Sequence, residues 1–165
     1  MKYKIGHSYD IHRLENNRKL ILGGVEIPYS KGLLGHSDAD CLLHAIAEAI
    51  IGALGLGDLG THFSDKDPQY KDKQSSYFIG EVKKMLHQHH YSLVNIDATV
   101  FIEEPLLRPY LSDMKKNISA LLDIEDSQVN IKATRGEKLG YIGRSEGVAA
   151  EAVVLIVKGR ELKRL

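Results

Sequence analysis

The sequence predicts an α+β fold, in which a mixed β-sheet carries helices packed on one face. Runs of β-branched residues occur near both ends and in the middle of the chain, and amphipathic segments lie between them. The 165 residues fit one compact domain, 1–165, and 43% hydrophobic residues supply a core that needs neither a disulfide nor a structural metal. No repeat or low-complexity segment divides the chain.

Five strands are expected, because runs of β-branched and apolar residues are separated by turn-forming residues. The predicted strands are 3–14, 19–28, 92–103, 128–134 and 146–158. The glycine pair at 23–24 predicts a bulge or a close backbone approach in the second strand. The last strand is nearly all apolar, so we expect it to be buried on both faces, either centrally in the sheet or against a partner subunit.

Three helices are expected, because apolar residues recur at spacings of three and four. They run over 38–54, with Ser37 or Asp38 as the N-cap, over 76–89, and over 109–122, with a proline in the first turn. The polar segment 61–75 is long for a connector, and we expect it to be a mobile lid.

Charge and composition exclude several classes of protein. The 22 basic and 22 acidic residues balance, so no global field attracts nucleic acid or an anionic membrane. A single cysteine, Cys41, excludes an intrachain disulfide and favours a reducing compartment. The start, Met1–His7, is too polar for a signal peptide, and the longest apolar run, Ala45–Leu56, is too short to span a bilayer. We therefore expect a cytoplasmic protein.

A metal site is one interpretation of three polar residues. Asp10 and His12 are two apart on a predicted strand, so their side chains point the same way. His44, near the start of the first helix, can face that strand. Two imidazoles and one carboxylate leave a coordination position open, as in catalytic zinc sites. A structural interpretation stays open, in which His44 belongs to the core and Asp38 or Asp40 is only a helix cap.

Two glycine-containing loops are candidates for ligand binding. Four basic residues and three glycines surround Glu137 in 132–144, a composition that indicates phosphate binding with a possible magnesium ligand. This loop matches neither the P-loop nor the dinucleotide fingerprint. In 56–67, glycines and aspartates either bind hydroxyls of a ligand or form a solvated acidic loop.

Five irregularly spaced segments carry most of these unusual residues. They are Gly6–His12, Leu34–His44, Gly57–Asp67, Lys132–Gly140 and Gly143–Gly147. Together they resemble the methylerythritol cyclodiphosphate synthase family, and the match extends over almost the whole chain. The resemblance implies a homotrimer whose sheets face a threefold axis, with active sites between neighbouring subunits.

The resemblance also implies a lyase of the non-mevalonate isoprenoid pathway. The implied substrate is 4-diphosphocytidyl-2-C-methyl-D-erythritol 2-phosphate, a cytidine diphosphate ester. Its 2-phosphate attacks the β-phosphorus, which yields 2-C-methyl-D-erythritol 2,4-cyclodiphosphate and expels CMP. The nucleophile is already an anion, so charge neutralisation and positioning are expected to dominate catalysis and no strong base is needed.

The resemblance assigns roles to individual residues. Zinc is expected on Asp10, His12 and His44, and Mg²⁺ or Mn²⁺ on Glu137. His36 and Arg135 are the expected catalytic residues. The expected substrate-binding residues are Ser37, Asp58, Leu59, Gly60, Phe63, Ser64, Asp65, Lys66, Asp67, Ile102, Pro105, Leu106, Leu107, Arg108, Ala133, Thr134, Gly136, Tyr141 and Arg144. Arg144 and Glu151 are also expected near the threefold axis.

Three positions depart from the family pattern. Leu106 stands where lysine is usual, Arg135 where a small hydroxyl residue is usual, and Glu48 where aspartate is common. We hypothesise that Arg135 replaces the positive charge lost at Leu106. Two alternatives to the cyclase stay open: a zinc-dependent phosphohydrolase that uses the same metal ligands, and a non-enzymatic trimeric anion-binding module.

Overall fold

The computed structural model describes residues 2–35, 37–64, 67–70 and 73–159. The strands within these ranges are β1 (Tyr3–Asn16), β2 (Leu20–Leu22), β3 (Val25–Ile27), β4 (Lys31–Leu33), β5 (Tyr91–Phe101), β6 (Val129–Thr134) and β7 (Gly147–Lys158). The α-helices are α1 (Cys41–Leu54), α2 (Leu59–His62), α3 (Ser75–Gln88), α4 (Leu111–Leu122) and α5 (Gly140–Gly143). Short 3₁₀ turns occupy Pro68–Tyr70, Arg108–Tyr110 and Asp126–Gln128.

Five strands form one mixed sheet in the order β4-β1-β7-β5-β6. Only the β5–β6 pair is parallel within this sheet; the other neighbours are antiparallel. The predicted α+β class is confirmed. The last strand was expected either at the centre of the sheet or against a partner subunit, and β7 lies at the centre. The β4 strand, which lies between the predicted strand 19–28 and the predicted helix 38–54, pairs with the end of β1 through Leu14 and Leu33.

The prediction of a single strand over 19–28 is wrong, whereas the close approach predicted as the alternative to a bulge is confirmed, because a Cβ atom on Gly24 would lie 2.1 Å from the side-chain nitrogen of Asn117. This segment is the hairpin β2–β3, whose two strands are antiparallel and pair Leu22 with Val25. Gly23 and Gly24 have φ of 59° and 74°, and two successive positive φ angles produce the tight turn that suits a two-residue hairpin. A glycine pair permits either a bulge or a turn, and long-range contacts decide between them.

Asp40 supplies those contacts and also caps α1. The prediction of Ser37 or Asp38 as the cap is wrong, and the cap role that the structural interpretation gave to Asp38 or Asp40 is confirmed for Asp40. Its carboxylate accepts hydrogen bonds from the backbone N–H of Leu43 at 3.0 Å, Gly23 at 2.9 Å and Gly24 at 2.6 Å. Complete burial raises the pKa of Asp40 to about 6, although the three N–H donors act in the opposite direction. One buried carboxylate therefore joins the helix start to the hairpin.

The α1 helix packs directly on the helix-bearing face of the sheet. Gly6 on β1 makes this approach possible, because a Cβ atom at this position would lie only 1.8 Å from the carbonyl oxygen of Ala49 and 2.8 Å from the nitrogen of Ala53. The inward residues of β7, including Val154 and Ile156, are fully buried beneath the helices. Alternation along β1 then points Asp10 and His12 toward α1.

The opposite face of the sheet is open in the single chain and is apolar. Tyr3, Ile5, Tyr9 and Ile11 alternate along β1 and are 44–71% exposed, and Val153 of β7 is 40% exposed. The expectation that β7 is buried on both faces thus holds within one subunit for the helix-bearing face and only in part for the open face, where Ala149 and Val157 are buried but Val153 is not. In the part of the chain that is described, no helix combines the length and apolarity that crossing a membrane requires.

We expect Gly6→Ala to lower the free energy of unfolding by about 2–3 kcal/mol, because the added methyl group collides with the α1 backbone. Gly52→Ala is the matched control: Gly52 lies within α1, and its Cβ would meet no atom within 4 Å. This variant should gain about 0.5–1 kcal/mol from helix propensity. Urea unfolding followed by circular dichroism at fixed protein concentration measures both. Equal stabilities of the two variants would contradict the proposed helix–sheet contact.

Candidate functional site

Three polar side chains converge where α1 faces β1. Oδ2 of Asp10 lies 3.1 Å from Nε2 of His12 and 3.2 Å from Nδ1 of His44, and the two nitrogens are 3.3 Å apart. The side chains are 15–24% exposed, so ligands still have access. Among the described residues, these three form the one group of histidine, cysteine or acidic side chains that could hold a metal ion. Asp10, His12 and His44 together are here called the metal cluster.

The hydrogen bond on the far side of His12 favours metal binding. Nδ1 of His12 lies 2.9 Å from the carbonyl oxygen of Leu34, and a carbonyl only accepts, so the proton of the neutral ring is on Nδ1. Nε2 then carries a lone pair directed at Asp10. A nitrogen lone pair and a carboxylate oxygen in this arrangement suit zinc, which prefers nitrogen, sulfur and carboxylate ligands.

The electrostatics of the cluster keep Asp10 ionised. Burial alone would raise the pKa of Asp10, but the hydrogen bonds that His12 and His44 donate when their facing nitrogens carry a proton outweigh it and hold the pKa well below the ordinary value. Burial likewise opposes protonation of His12, and the hydrogen bond with Asp10 outweighs it and raises the pKa of His12. The cluster is thus built to hold positive charge, as protons or as a metal.

Arg18, which the sequence reasoning missed, fixes the loop beside the cluster. Its guanidinium donates to the backbone carbonyls of Leu33 at 2.5 Å, Gly35 at 3.3 Å and Ser37 at 3.1 Å. These carbonyls flank Leu34, whose own carbonyl orients His12. An arginine that donates to backbone carbonyls gives no local sequence signal, and only the folded loop reveals these contacts.

Ser37 lies in this loop, and its hydroxyl donates to Asp38 at 3.3 Å. His36, the expected catalytic residue beside it, lies outside the described residues. Asp38 does not cap α1; its carboxylate accepts from the backbone N–H of Ser75 at 3.1 and 3.2 Å. Glu48, one helical turn after His44, accepts a hydrogen bond from the Ser8 hydroxyl at 3.2 Å.

A cavity of about 450 Å³ lies on the same face of the sheet but at its far edge, beside β6. It brings together two segments that are about 30 positions apart in the sequence. Its lining residues are Ile102, Pro105, Leu106, Leu107, Arg108, Leu111, Ala133, Thr134, Arg135 and Glu137. All of them except Leu111 were singled out from the sequence.

The cavity combines apolar walls with a few charged groups. Ile102 and Leu107 are buried, whereas Leu106 is 58% exposed and offers no charge. Arg108 and Arg135 supply two positive groups and Glu137 one negative group to the lining. Apolar walls with a few convergent polar groups are typical of small-molecule sites.

Glu103, a residue that the sequence reasoning did not select, holds the charged loop in place. Its carboxylate accepts from the backbone N–H of Gly136 at 3.1 Å and from the Lys138 ammonium at 2.8 Å. The hydrogen bond from Lys138 lowers the pKa of Glu103. Lys138 is thereby neutralised by a protein carboxylate.

The metal cluster and the cavity occupy one row across the sheet. Asp10 pairs with Ala150, Ala150 with Val100, and Val100 with Ala133. Paired residues share a face, so Asp10 and Ala133 both belong to the helix-bearing face. Three strand spacings of about 4.8 Å place them about 14 Å apart, which is too far for direct contact.

The residues around the start of the segment expected to form a lid pack toward the metal cluster. Asp58 caps α2, which includes Leu59 and Gly60, and accepts from the N–H and hydroxyl of Thr61, both at 2.7 Å. The Thr61 hydroxyl lowers the pKa of Asp58. Phe63 packs on Phe78, with ring centroids 5.1 Å apart, and Phe78 in turn packs on the ring of His44.

Further along this segment, the carboxylate of Asp67 accepts from the backbone and side-chain nitrogens of Gln69 at 3.0 and 2.6 Å. The backbone N–H of Asp67 donates to the carbonyl of Ser64 at 3.0 Å. Asp65 and Lys66 lie outside the described residues. A substrate role for this segment stays a prediction.

The remaining expected residues lie near the apolar open face. The hydroxyls of Tyr141 and Tyr9 are hydrogen-bonded to each other, and burial together with this bond raises the pKa of Tyr9 to about 12. Arg144 forms a two-point ion pair with Glu146, at 2.7 and 3.1 Å. Glu151 lies 2.6 Å from Nε2 of His7.

An α+β fold with an Asp-His-His cluster and an open, partly charged cavity defines a candidate metal-dependent enzyme of small-molecule metabolism. A family model described as the YgbB family matches residues 3–157. The chain belongs to the YgbB family.

Named relatives and a solved structure agree with this assignment. A protein of Geobacillus thermodenitrificans named 2-C-methyl-D-erythritol 2,4-cyclodiphosphate synthase is 54% identical over 156 residues, which cover 94% of this chain and 98% of the relative. A Bacillus subtilis protein of the same name is 52% identical over 95% of this chain and 99% of its own length. The IspF CDP complex of Plasmodium falciparum has a TM-score of 0.85 and 32% identity, covering 96% of this chain and 98% of that chain. The resemblance drawn from the five sequence segments is confirmed.

Proposed function

We propose that this chain is a metal-dependent phosphorus–oxygen lyase that converts 4-diphosphocytidyl-2-C-methyl-D-erythritol 2-phosphate to 2-C-methyl-D-erythritol 2,4-cyclodiphosphate and CMP. The observation that carries this proposal is the presence, in one row of the sheet, of the Asp10-His12-His44 cluster and the cavity beside β6. Relatives over 50% identical along nearly their whole length bear the name of this enzyme. We further propose a cytoplasmic location, which the free and buried thiol of Cys41 supports.

We propose a homotrimer in which the open faces of the sheets meet at a threefold axis. The exposed apolar side chains of β1 and Val153 support this arrangement, because a water-exposed apolar sheet face is costly. Arg144 and Glu151 would then lie near the axis. In such a ring, the β1 side of one subunit approaches the β6 side of the next, which would join a metal cluster and a cavity from different subunits into one active site.

In this assignment the cavity binds the cytidine end of the substrate. Backbone and side-chain groups of Ile102–Arg108, Ala133 and Thr134 would contact the base and ribose, and Gly136 would approach the diphosphate. The P. falciparum relative is described as a complex with CDP, which supports a cytidine nucleotide as the ligand. Glu137 would hold a Mg²⁺ or Mn²⁺ ion that accompanies the diphosphate.

The metal cluster would bind the phosphate end of the substrate. A zinc ion held by Asp10, His12 and His44 would supply Lewis-acid polarisation of a phosphoryl oxygen. His36 and Ser37, in the loop that Arg18 holds, and Asp58 would orient the methylerythritol phosphate. Phe63 to Asp67 would close over it, and Tyr141 and Arg144 would complete the contacts.

The reaction needs positioning and charge neutralisation more than proton transfer. An oxygen of the substrate's 2-phosphate forms a bond to the β-phosphorus, and the bond from that phosphorus to the oxygen of CMP breaks, with the electron pair leaving on CMP. Arg135 would offset negative charge as the two phosphates approach. The attacking group is already an anion, which accounts for a site without a serine or cysteine nucleophile.

The product test uses phosphorus NMR of the purified protein with the cytidine diphosphate substrate. We expect a cyclic diphosphate and CMP in equal amounts, and we expect both to disappear after chelator treatment and to return after zinc is added. Linear phosphates would instead identify a zinc phosphohydrolase. Binding of the substrate without turnover by the zinc-loaded protein would favour the anion-binding module, and both results would contradict the cyclase.

The charge-replacement hypothesis predicts that Arg135→Thr lowers kcat/KM by about 10- to 100-fold, since a charge-assisted hydrogen bond contributes about 1.5–3 kcal/mol. Adding Leu106→Lys in the same cavity should restore most of the loss. Lys116→Thr, which removes an exposed cation on α4, is the control and should leave kcat/KM unchanged. Steady-state kinetics on the three variants would refute the hypothesis if Arg135→Thr matched the unmodified chain.

A further inference from the structure

Ser75, the first residue of α3, connects the metal cluster to a second carboxylate. Its hydroxyl is hydrogen-bonded to Oδ1 of Asp38 and lies 2.9 Å from Nε2 of His44. The residue is only 1% exposed, so water does not compete for these bonds. The chain Asp38–Ser75–His44 thus runs from the loop before α1 to the metal cluster.

The chemistry of the three groups fixes the direction of each hydrogen bond. The carboxylate of Asp38 only accepts, and it already accepts from the backbone N–H of Ser75 at 3.1 and 3.2 Å. The hydroxyl of Ser75 therefore donates its proton to Asp38. Its lone pair is left facing His44, so Nε2 of His44 must be the donor in the third bond.

A neutral imidazole carries one N–H, so a proton on Nε2 leaves Nδ1 of His44 with a lone pair. This nitrogen is the one that lies 3.2 Å from Oδ2 of Asp10 and 3.3 Å from Nε2 of His12. The ring of His12 is held in the corresponding way by the carbonyl of Leu34. Both histidines thus direct an unprotonated nitrogen at the same point.

We propose that Ser75 and Asp38 are positioning residues of the metal centre, which fix the Nε2–H tautomer and the ring orientation of His44 so that Nδ1 binds the metal. This inference rests on the proposed metal-dependent function. Hydrogen-bonded partners behind a metal-bound histidine raise its basicity and hold its ring, and their loss typically lowers metal affinity by about 10- to 100-fold.

The first experiment measures zinc affinity by competition with a chromophoric chelator. Ser75→Ala removes the hydroxyl and retains the backbone N–H that binds Asp38, and we expect zinc affinity to fall by about 10- to 100-fold. Ser76→Ala, the adjacent serine in the same helical turn, is the matched control and should bind zinc as the unmodified chain does. Equal zinc affinity of Ser75→Ala and Ser76→Ala would overturn the proposal.

The second readout is nitrogen NMR of the histidine rings, which a purely structural role of Ser75 would not change. In the metal-free unmodified chain, we expect His44 to carry its proton on Nε2 alone, and in the zinc-loaded chain we expect it to bind zinc through Nδ1. In metal-free Ser75→Ala, we expect a mixture of the two tautomers. Zinc bound through Nε2 of His44 in the unmodified chain, or an unchanged single tautomer in Ser75→Ala, would overturn the proposal.

Asp38→Asn keeps the test decisive if Ser75→Ala does not fold. It retains an acceptor oxygen but removes the charge that holds the Ser75 hydroxyl, and zinc affinity should fall by several-fold. Unchanged affinity would contradict the proposed role of Asp38. Failure of the unmodified chain to bind zinc would refute the metal-dependent function and this inference together, whereas normal binding with unaffected variants would refute the inference alone.

Discussion

The convergence of Oδ2 of Asp10, Nε2 of His12 and Nδ1 of His44 is the constraint on which the rest of the site depends. Three atoms that carry lone pairs lie 3.1–3.3 Å apart, an arrangement that needs positive charge between them. The fold maintains it from both sides, because Gly6 lets α1 approach β1 and hydrogen bonds hold the outer nitrogen of each imidazole. Positive charge at this point is what a substrate with several phosphates requires.

The sheet determines how the two parts of the site relate to each other. The metal cluster and the cavity share a row, but β7 and β5 separate them by about 14 Å. The proposed ring of subunits would account for both this separation and the apolar open face of the sheet. The same association would cover that face and would bring the metal cluster of one subunit to the cavity of its neighbour.

Local sequence patterns predicted those features that depend on periodicity. Alternation placed Asp10 and His12 on one face, and helical spacing placed His44 opposite them, so the metal cluster was predictable. The β2–β3 turn was not, and the sequence could not choose among Ser37, Asp38 and Asp40 as the cap of α1, because Asp40 is selected by three backbone partners from two separate segments. The supporting contacts of Arg18 and Ser75 are likewise made across the fold, and neither residue type signals its role locally. The paired segments of the cavity were found by resemblance to a family, since nothing in their composition shows that they adjoin.

The proposed active site combines a zinc ion on Asp10, His12 and His44 with a cytidine pocket beside β6. X-ray diffraction from crystals grown with zinc and CDP, with data collected at the zinc absorption edge, shows directly whether the two lie together. We expect an anomalous peak bonded to Nε2 of His12, Nδ1 of His44 and the carboxylate of Asp10, with cytosine in the cavity of a neighbouring subunit. Zinc bound to other residues, or cytosine outside the cavity that Ile102 and Ala133 line, would contradict this proposal.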